Sequence, residues 1–190
     1  MNQAWLVTKN LLFTILVPGF VIGWAPLHWF ERYPRWLAPA AWGWPQGAGV
    51  VIFALGAMVF LHCQFLFIKR GQGTPAPFDP PRKFVRRGLY KWVRNPMYLG
   101  VLAMVGAEGL FLRSGHIAVY FVCLTCAVHL MVVLYEENAL RFKFGAVYED
   151  YRRDVPRWFP RKPKPMILTA APFEDAAKRR QKPEGLKPET

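Results

Sequence analysis

Charged residues fall in blocks along this chain, and long apolar runs separate the blocks. Residues 10–30 are 21 positions without a charge; at 1.5 Å per residue they form about 31 Å of helix, close to the hydrocarbon thickness of a bilayer. Residues 47–68 repeat the pattern, as do 116–135. Residues 96–112 form a shorter apolar stretch interrupted by Glu108. Arg113, Ser114 and Gly115 make a tight turn between the last two stretches, which predicts a helical hairpin. Pro18 and Gly19 lie inside the first run, where membrane helices tolerate them. The pattern therefore predicts an all-α membrane protein with about four transmembrane helices (10–30, 47–68, 96–112 and 116–135).

The polar stretches differ in kind. Residues 31–45 are rich in Trp and Pro, and Trp29, Tyr33, Trp36, Trp42 and Trp44 fit an interfacial aromatic belt. Residues 69–95 hold Lys69, Arg70, Arg82, Lys83, Arg86, Arg87, Lys91 and Arg94 against Asp79 alone, and include the proline-broken run Gly73 to Pro81. After Glu136 the apolar positions Leu140, Phe144, Val147, Tyr148 and Tyr151 recur at helical spacing, which predicts a C-terminal interfacial helix. Beyond Pro160 the chain is rich in Lys, Pro and Glu. The expected organisation is one membrane domain over 1–160 and a disordered basic tail over 161–190.

Composition sharpens this picture. The 190 residues are 53% hydrophobic and 16% aromatic yet carry a net charge of +13. A water-soluble nucleic-acid binder would not contain such long uncharged runs, so no nucleic-acid partner is expected; apolar spans with basic connections reconcile the two figures. The Lys/Arg excess in 69–95 and after Glu136 predicts that this loop and both termini are cytosolic, with membrane lipids as the surrounding partner. The first run lacks a small-residue cleavage site and reads as a retained span. Cys63, Cys123 and Cys126 all lie in apolar segments and read as packing residues, not a disulfide framework. His28, His62, His116 and His129 show no metal-ligand spacing, and no metal site is expected.

Three sets of residues could carry chemistry. Pro96 stands where a helix should begin, with Asn95 at the N-cap position. Such a start fits either a simple helix entry with aromatic anchors or free backbone N–H groups facing an anionic ligand group. Glu136 and Glu137 end a long apolar span. They fit an interfacial helix end that reaches water, or a site for a positively charged ligand; because carboxylates at a helix C-terminus oppose its dipole, the first reading needs the helix to continue. Glu108 is an ionisable group inside a membrane segment, open to a structural pairing or to a functional role.

The runs GTPAPFDPP, GLYKWVRNPMYLG, EENALRFKFGAVYEDY and VPRWFP, in that order and with a hairpin between the second and third, resemble the isoprenylcysteine carboxyl methyltransferase family, which belongs with the phospholipid methyltransferases. The resemblance covers roughly residues 70–160. It implies S-adenosylmethionine held at the cytosolic face between the pre-hairpin loop and the C-terminal helix. The family's Arg-His-Pro-x-Tyr motif falls on Arg94, Asn95, Pro96, Met97 and Tyr98. The upstream tyrosine falls on Tyr90, and the short preceding stretch on Arg82, Lys83, Phe84 and Val85. The acidic cofactor contact falls on Glu136, with Glu137 beside it as the candidate base. Helix-start amides and Arg94 suit the cofactor's carboxylate, and a glutamate suits its ammonium or sulfonium. The family histidine is Asn95 here, and Val132 stands where prenylcysteine enzymes carry an arginine.

The implied reaction is methyl transfer to a lipophilic acceptor, of the isoprenylcysteine carboxylate or phospholipid amine type. Two other readings remain open: a membrane lipid or sterol-type reductase using NADPH, and a non-catalytic membrane scaffold. Binding of one cofactor, the other or neither separates the three.

Overall fold

The computed structural model describes residues 3–26, 28, 42–71 and 84–163. The predicted aromatic anchors Trp29, Tyr33 and Trp36, the 73–81 run, Arg82 and Lys83, and the tail beyond 163 lie outside the described residues. Every regular element among the described residues is helical, as expected for an all-α membrane protein.

Helix α1, Gln3–Leu16, continues past Pro18 into a π-helical segment, Gly19–Trp24. Proline has no N–H to give and crowds the carbonyl four residues back, so widening the turn is a local remedy. Helix α2, Trp44–Leu66, runs on through a second π segment, Phe67–Gly71. Helix α3, Pro96–Leu112, has the predicted span boundaries. Helix α4, Gly115–Met131, passes through a π turn at Val132–Glu136 into α5, Glu137–Phe144. Among the described residues, three helical stretches are long and apolar enough to cross a membrane, Val7–Trp24, Trp44–Lys69 and Gly115–Phe144, and Pro96–Leu112 is a shorter apolar helix.

Between α3 and α4 the chain reverses as predicted. Arg113 takes the left-handed conformation at φ 50°, and the Ser114 hydroxyl caps α4 by accepting from the Ile117 N–H. Gln46 fastens the start of α2 to this end of the hairpin. Its amide donates to the Phe111 carbonyl at 3.0 Å, and its oxygen accepts from the Gly43 N–H and from Arg113.

The α2–α3 crossing depends on glycine. A Cβ on Gly56 would lie 2.8 Å from the Gly100 carbonyl oxygen, and one on Gly100 would lie 2.8 Å from the Gly56 oxygen. Lipid tails are as apolar as leucine, so close backbone approach, not hydrophobic exclusion, holds such helices together. Phe60, Cys63, Met97 and Met104 fill the adjacent core.

The expected single C-terminal helix is two. The chain turns at Gly145, φ 52°, where a left-handed backbone favours glycine, and α6 spans Ala146–Asp154. Residues 155–161 then fold back as a strap over the start of α3. The Arg94 N–H donates to the Pro156 carbonyl at 2.9 Å, and the Arg161 N–H donates to the Trp92 carbonyl at 3.0 Å. The 84–95 segment and the C-terminal region are therefore at one end of the bundle.

Candidate functional site

The start of α3, the α4–α5 junction and the strap converge. Tyr98, one turn into α3, donates its hydroxyl to Glu136 Oε2 at 2.8 Å. Arg94 lies just ahead of α3, its Nη1 3.1 Å from Glu137 Oε1. Arg157 on the strap grips Glu137 with both arms, Nε to Oε1 at 2.6 Å and Nη2 to Oε2 at 3.1 Å. Glu137 is only 5% exposed, so its charge is balanced within the protein. The two adjacent glutamates thus have different surroundings: Glu137 is held by two arginines and Glu136 by one phenol. Because the helix continues through both, neither opposes a helix end.

Asn95 stands at the N-cap position of α3 and Pro96 enters the first turn, as expected. The Asn95 side chain does not cap the helix. Its amide donates to the Arg157 carbonyl at 3.3 Å, tying the strap to the helix start. Met97 is buried in the α2–α3 core.

The Arg94 Nη1 pairs with Glu137, whereas its buried Nε has no hydrogen-bond partner among the described residues. A buried guanidinium N–H without an acceptor is costly, and a ligand carboxylate would satisfy it. Glu136 offers the complementary negative charge. Arg94 and Glu136 could hold the carboxylate and the positive groups of an amino acid-bearing cofactor.

A wall of aromatics supports the charges. Phe84 packs against Phe144, Tyr148 and Tyr151, with ring centroids 5.3, 6.1 and 5.0 Å away. The Tyr151 hydroxyl donates to the Tyr90 carbonyl at 2.8 Å, and Arg86 pairs with Asp154 at 2.8 Å. Val85 and Tyr90 are buried against α2 and α3. Apolar space opens on the other side of α3. A hollow of about 920 Å³ lies among Leu102, Phe121, His129, Trp158 and Phe159, and a neighbour of about 360 Å³ lies among Leu55, Gly56, Val93 and Pro160. Both are bordered by Ile52, Leu99 and Ala103, so they are adjacent parts of an open apolar groove beside α3, with strap residues along its edge.

Residues 45–147 match the phospholipid methyltransferase family, more than half of the chain. The chain belongs to that family. Methanethiol S-methyltransferase 2 from Bradyrhizobium diazoefficiens is 41% identical over 73 residues, 38% of this chain and 27% of that protein. Methanethiol S-methyltransferase from a Pseudomonas species is 29% identical over 170 residues, 85% of this chain and 61% of that protein. The chain thus spans less than two thirds of the length of either curated relative. No solved structure matches it.

The family match ends before the strap, and the strap supplies two contacts that sequence reasoning did not single out. Arg157 was legible only as part of the VPRWFP run, because its partner Glu137 is 20 residues away across two helices. Trp158 donates its indole N–H to His129 Nδ1 at 3.0 Å, which gives that histidine a partner from the far end of the domain. Replacing Arg157 with Ala is expected to destabilise the fold by about 2 kcal/mol, since Glu137 stays buried with Arg94 as its remaining cation. Arg157→Lys should recover less than half of the loss, because an ammonium cannot reproduce the two-armed contact. Thermal unfolding of the two variants in detergent measures both.

The aromatic wall also predicts an alkaline limit. Burial raises the Tyr148 phenol from its ordinary 10.0 to about 12, and burial pushes Tyr90 and Tyr151 upward as well. The folded protein keeps these phenols neutral, whereas the unfolded chain ionises them near pH 10. Their contribution is complete below pH 10 and is lost as the pH rises towards 12. In an absorbance titration, the buried tyrosinates should appear together with loss of helical circular dichroism.

Proposed function

We propose that this chain is a membrane-embedded methyltransferase that uses S-adenosylmethionine to methylate an apolar thiol at the end of the bundle where the strap crosses α3. The observation that carries this reading is the juxtaposition of Glu136, bonded to Tyr98, with buried and under-satisfied Arg94, at the start of α3 in a chain of the phospholipid methyltransferase family. Bound there, the cofactor supplies a methyl group on a positively charged sulfur, open to in-line displacement.

The residues have distinct parts in this proposal. Arg94 and the first amides of α3 receive the cofactor carboxylate. Glu136 faces its positive charge, and Tyr98 fixes the orientation of Glu136. Tyr90, Asn95, Pro96 and Met97 shape the floor, and Phe84 and Val85 contribute the flanking loop. Glu137 was the candidate base, but Arg94 and Arg157 occupy both of its carboxylate oxygens, which leaves neither turned to an acceptor. We therefore assign Glu137 a positioning role, holding Arg94 and the strap in place. The proton of a thiol acceptor passes to water, because the thiolate is the reacting form.

Two observations support a thiol over a carboxylate or a phospholipid amine. Val132, 1% exposed, occupies the position where prenylcysteine enzymes carry an arginine, so no cation awaits an acceptor carboxylate there. The two curated relatives are named for methylation of a thiol, methanethiol. The groove has room for a larger apolar body than methanethiol.

The test is incubation of purified protein with methyl-labelled S-adenosylmethionine and matched acceptors: a short alkyl thiol, a farnesylcysteine and phosphatidylethanolamine. The proposal expects labelled thioether from the thiol. Label in the ester or in the lipid would reassign the acceptor. Failure to bind S-adenosylhomocysteine would sink the cofactor reading and direct attention to NADPH.

A further inference from the structure

A second cavity lies at the opposite end of α3. Ten residues separate Tyr98 from Glu108, about 15 Å along the helix axis. Among the described residues, this cavity is lined by Ile22, Gly23 and Pro26 from the N-terminal helical segment, Phe53 from α2, and Glu108 and Phe111 from α3. Its volume is about 360 Å³, room for on the order of a dozen heavy atoms. Apart from Glu108 its lining is apolar.

Among the described residues, Glu108 Oε2 is buried and has no hydrogen-bond partner. Two described polar groups at this end of the bundle are bonded elsewhere. The Tyr120 hydroxyl donates to the Val21 carbonyl at 3.1 Å, and Arg113 reaches Gln46 at 3.4 Å. Among the described residues, Glu108 belongs to no cluster of His, Cys, Asp or Glu that could hold a metal ion. A carboxyl at membrane depth is costly without a cation or hydrogen-bond donors. A lone carboxylate suits a monocation that brings its own apolar body.

We propose that this cavity is a binding site for a membrane-soluble alkylamine, with the ammonium on Glu108 and the alkyl chain among Ile22, Phe53 and Phe111. A phospholipid amine is the less suitable occupant, because its phosphate would require a cation and Arg113 is already held by Gln46. The site is separate from the one proposed for methyl transfer and does not depend on it.

The probe is octylamine, below its micellar concentration, with 1-octanol as the uncharged match. The readout is thermal unfolding of the full chain in nanodiscs free of phosphatidylethanolamine. Octylamine should raise the midpoint of the wild type by on the order of 5 °C at saturation, and octanol should not. Glu108→Gln should abolish the amine-specific shift. Gly23→Leu should do the same by filling the cavity, since a Cβ on Gly23 has nothing within 4 Å to clash with. Should Glu108→Gln fail to fold, Gly23→Leu carries the test alone. Equal shifts with octanol, an undiminished shift in either variant, or no shift in the wild type would overturn the proposal. A stabilisation that appears only when phosphatidylethanolamine is added would also overturn it in favour of a lipid headgroup.

Discussion

Glu136→Gln is expected to weaken S-adenosylhomocysteine binding by about 10- to 100-fold while leaving the protein folded. Glutamine keeps an oxygen that can accept the Tyr98 hydroxyl now 2.8 Å from Glu136. It removes the negative charge, and one charge-assisted contact is worth about 1.5–3 kcal/mol. The neighbouring substitution separates binding from folding. Glu137→Gln should lower the unfolding temperature, because Arg94 and Arg157 both lose their counter-charge, and its effect on binding should follow from that loosening. Isothermal titration of both variants, each with a thermal scan, gives the comparison. Unchanged affinity in folded Glu136→Gln would remove this glutamate from the cofactor site.

The second large effect is structural. Gly100→Val is expected to yield no monodisperse protein, because the new side chain would begin 2.8 Å from the Gly56 oxygen and 3.1 Å from the Phe60 nitrogen. Both are backbone atoms and cannot rotate away, so α2 and α3 must separate. Even Gly100→Ala should destabilise by about 1–3 kcal/mol. Gly47→Ala is the control: a Cβ there meets nothing within 4 Å, and alanine in a helix should be neutral or stabilising by up to about 1 kcal/mol. Size-exclusion profiles in detergent discriminate among the three.

The apolar helices and the hairpin were legible in the sequence because the bilayer imposes a crude rule, about 20 apolar residues between charges. Residues 96–112 were bounded correctly by Asn95–Pro96 at one end and the Arg113–Ser114–Gly115 turn at the other. The π turns were not legible. In a stretch as uniformly apolar as 116–135, a change from 3.6 residues per turn leaves no trace in hydropathy. The break at Gly145 was also missed, since the apolar stripe of Leu140, Phe144, Tyr148 and Tyr151 reads smoothly across it. Of the candidate site, the residues near α3 and the glutamates were legible through the resemblance, and the structure brings Arg94, Tyr98, Glu136 and Glu137 together. The strap's contribution was not, because a lone arginine among prolines and aromatics carries no pattern that names its partner.

The position of Arg157 has a consequence for biosynthesis. Chain elongation at 5–20 residues per second puts about 1–4 s between Glu137 and Arg157, 20 residues later. Of the two cations on Glu137, Arg94 is made before it and Arg157 after it, beyond the last apolar helix. The polar cluster is therefore completed only when the strap has been made. A chain that stops short of residue 157 would keep its apolar helices yet leave Glu137 with Arg94 as its one cation among the described residues.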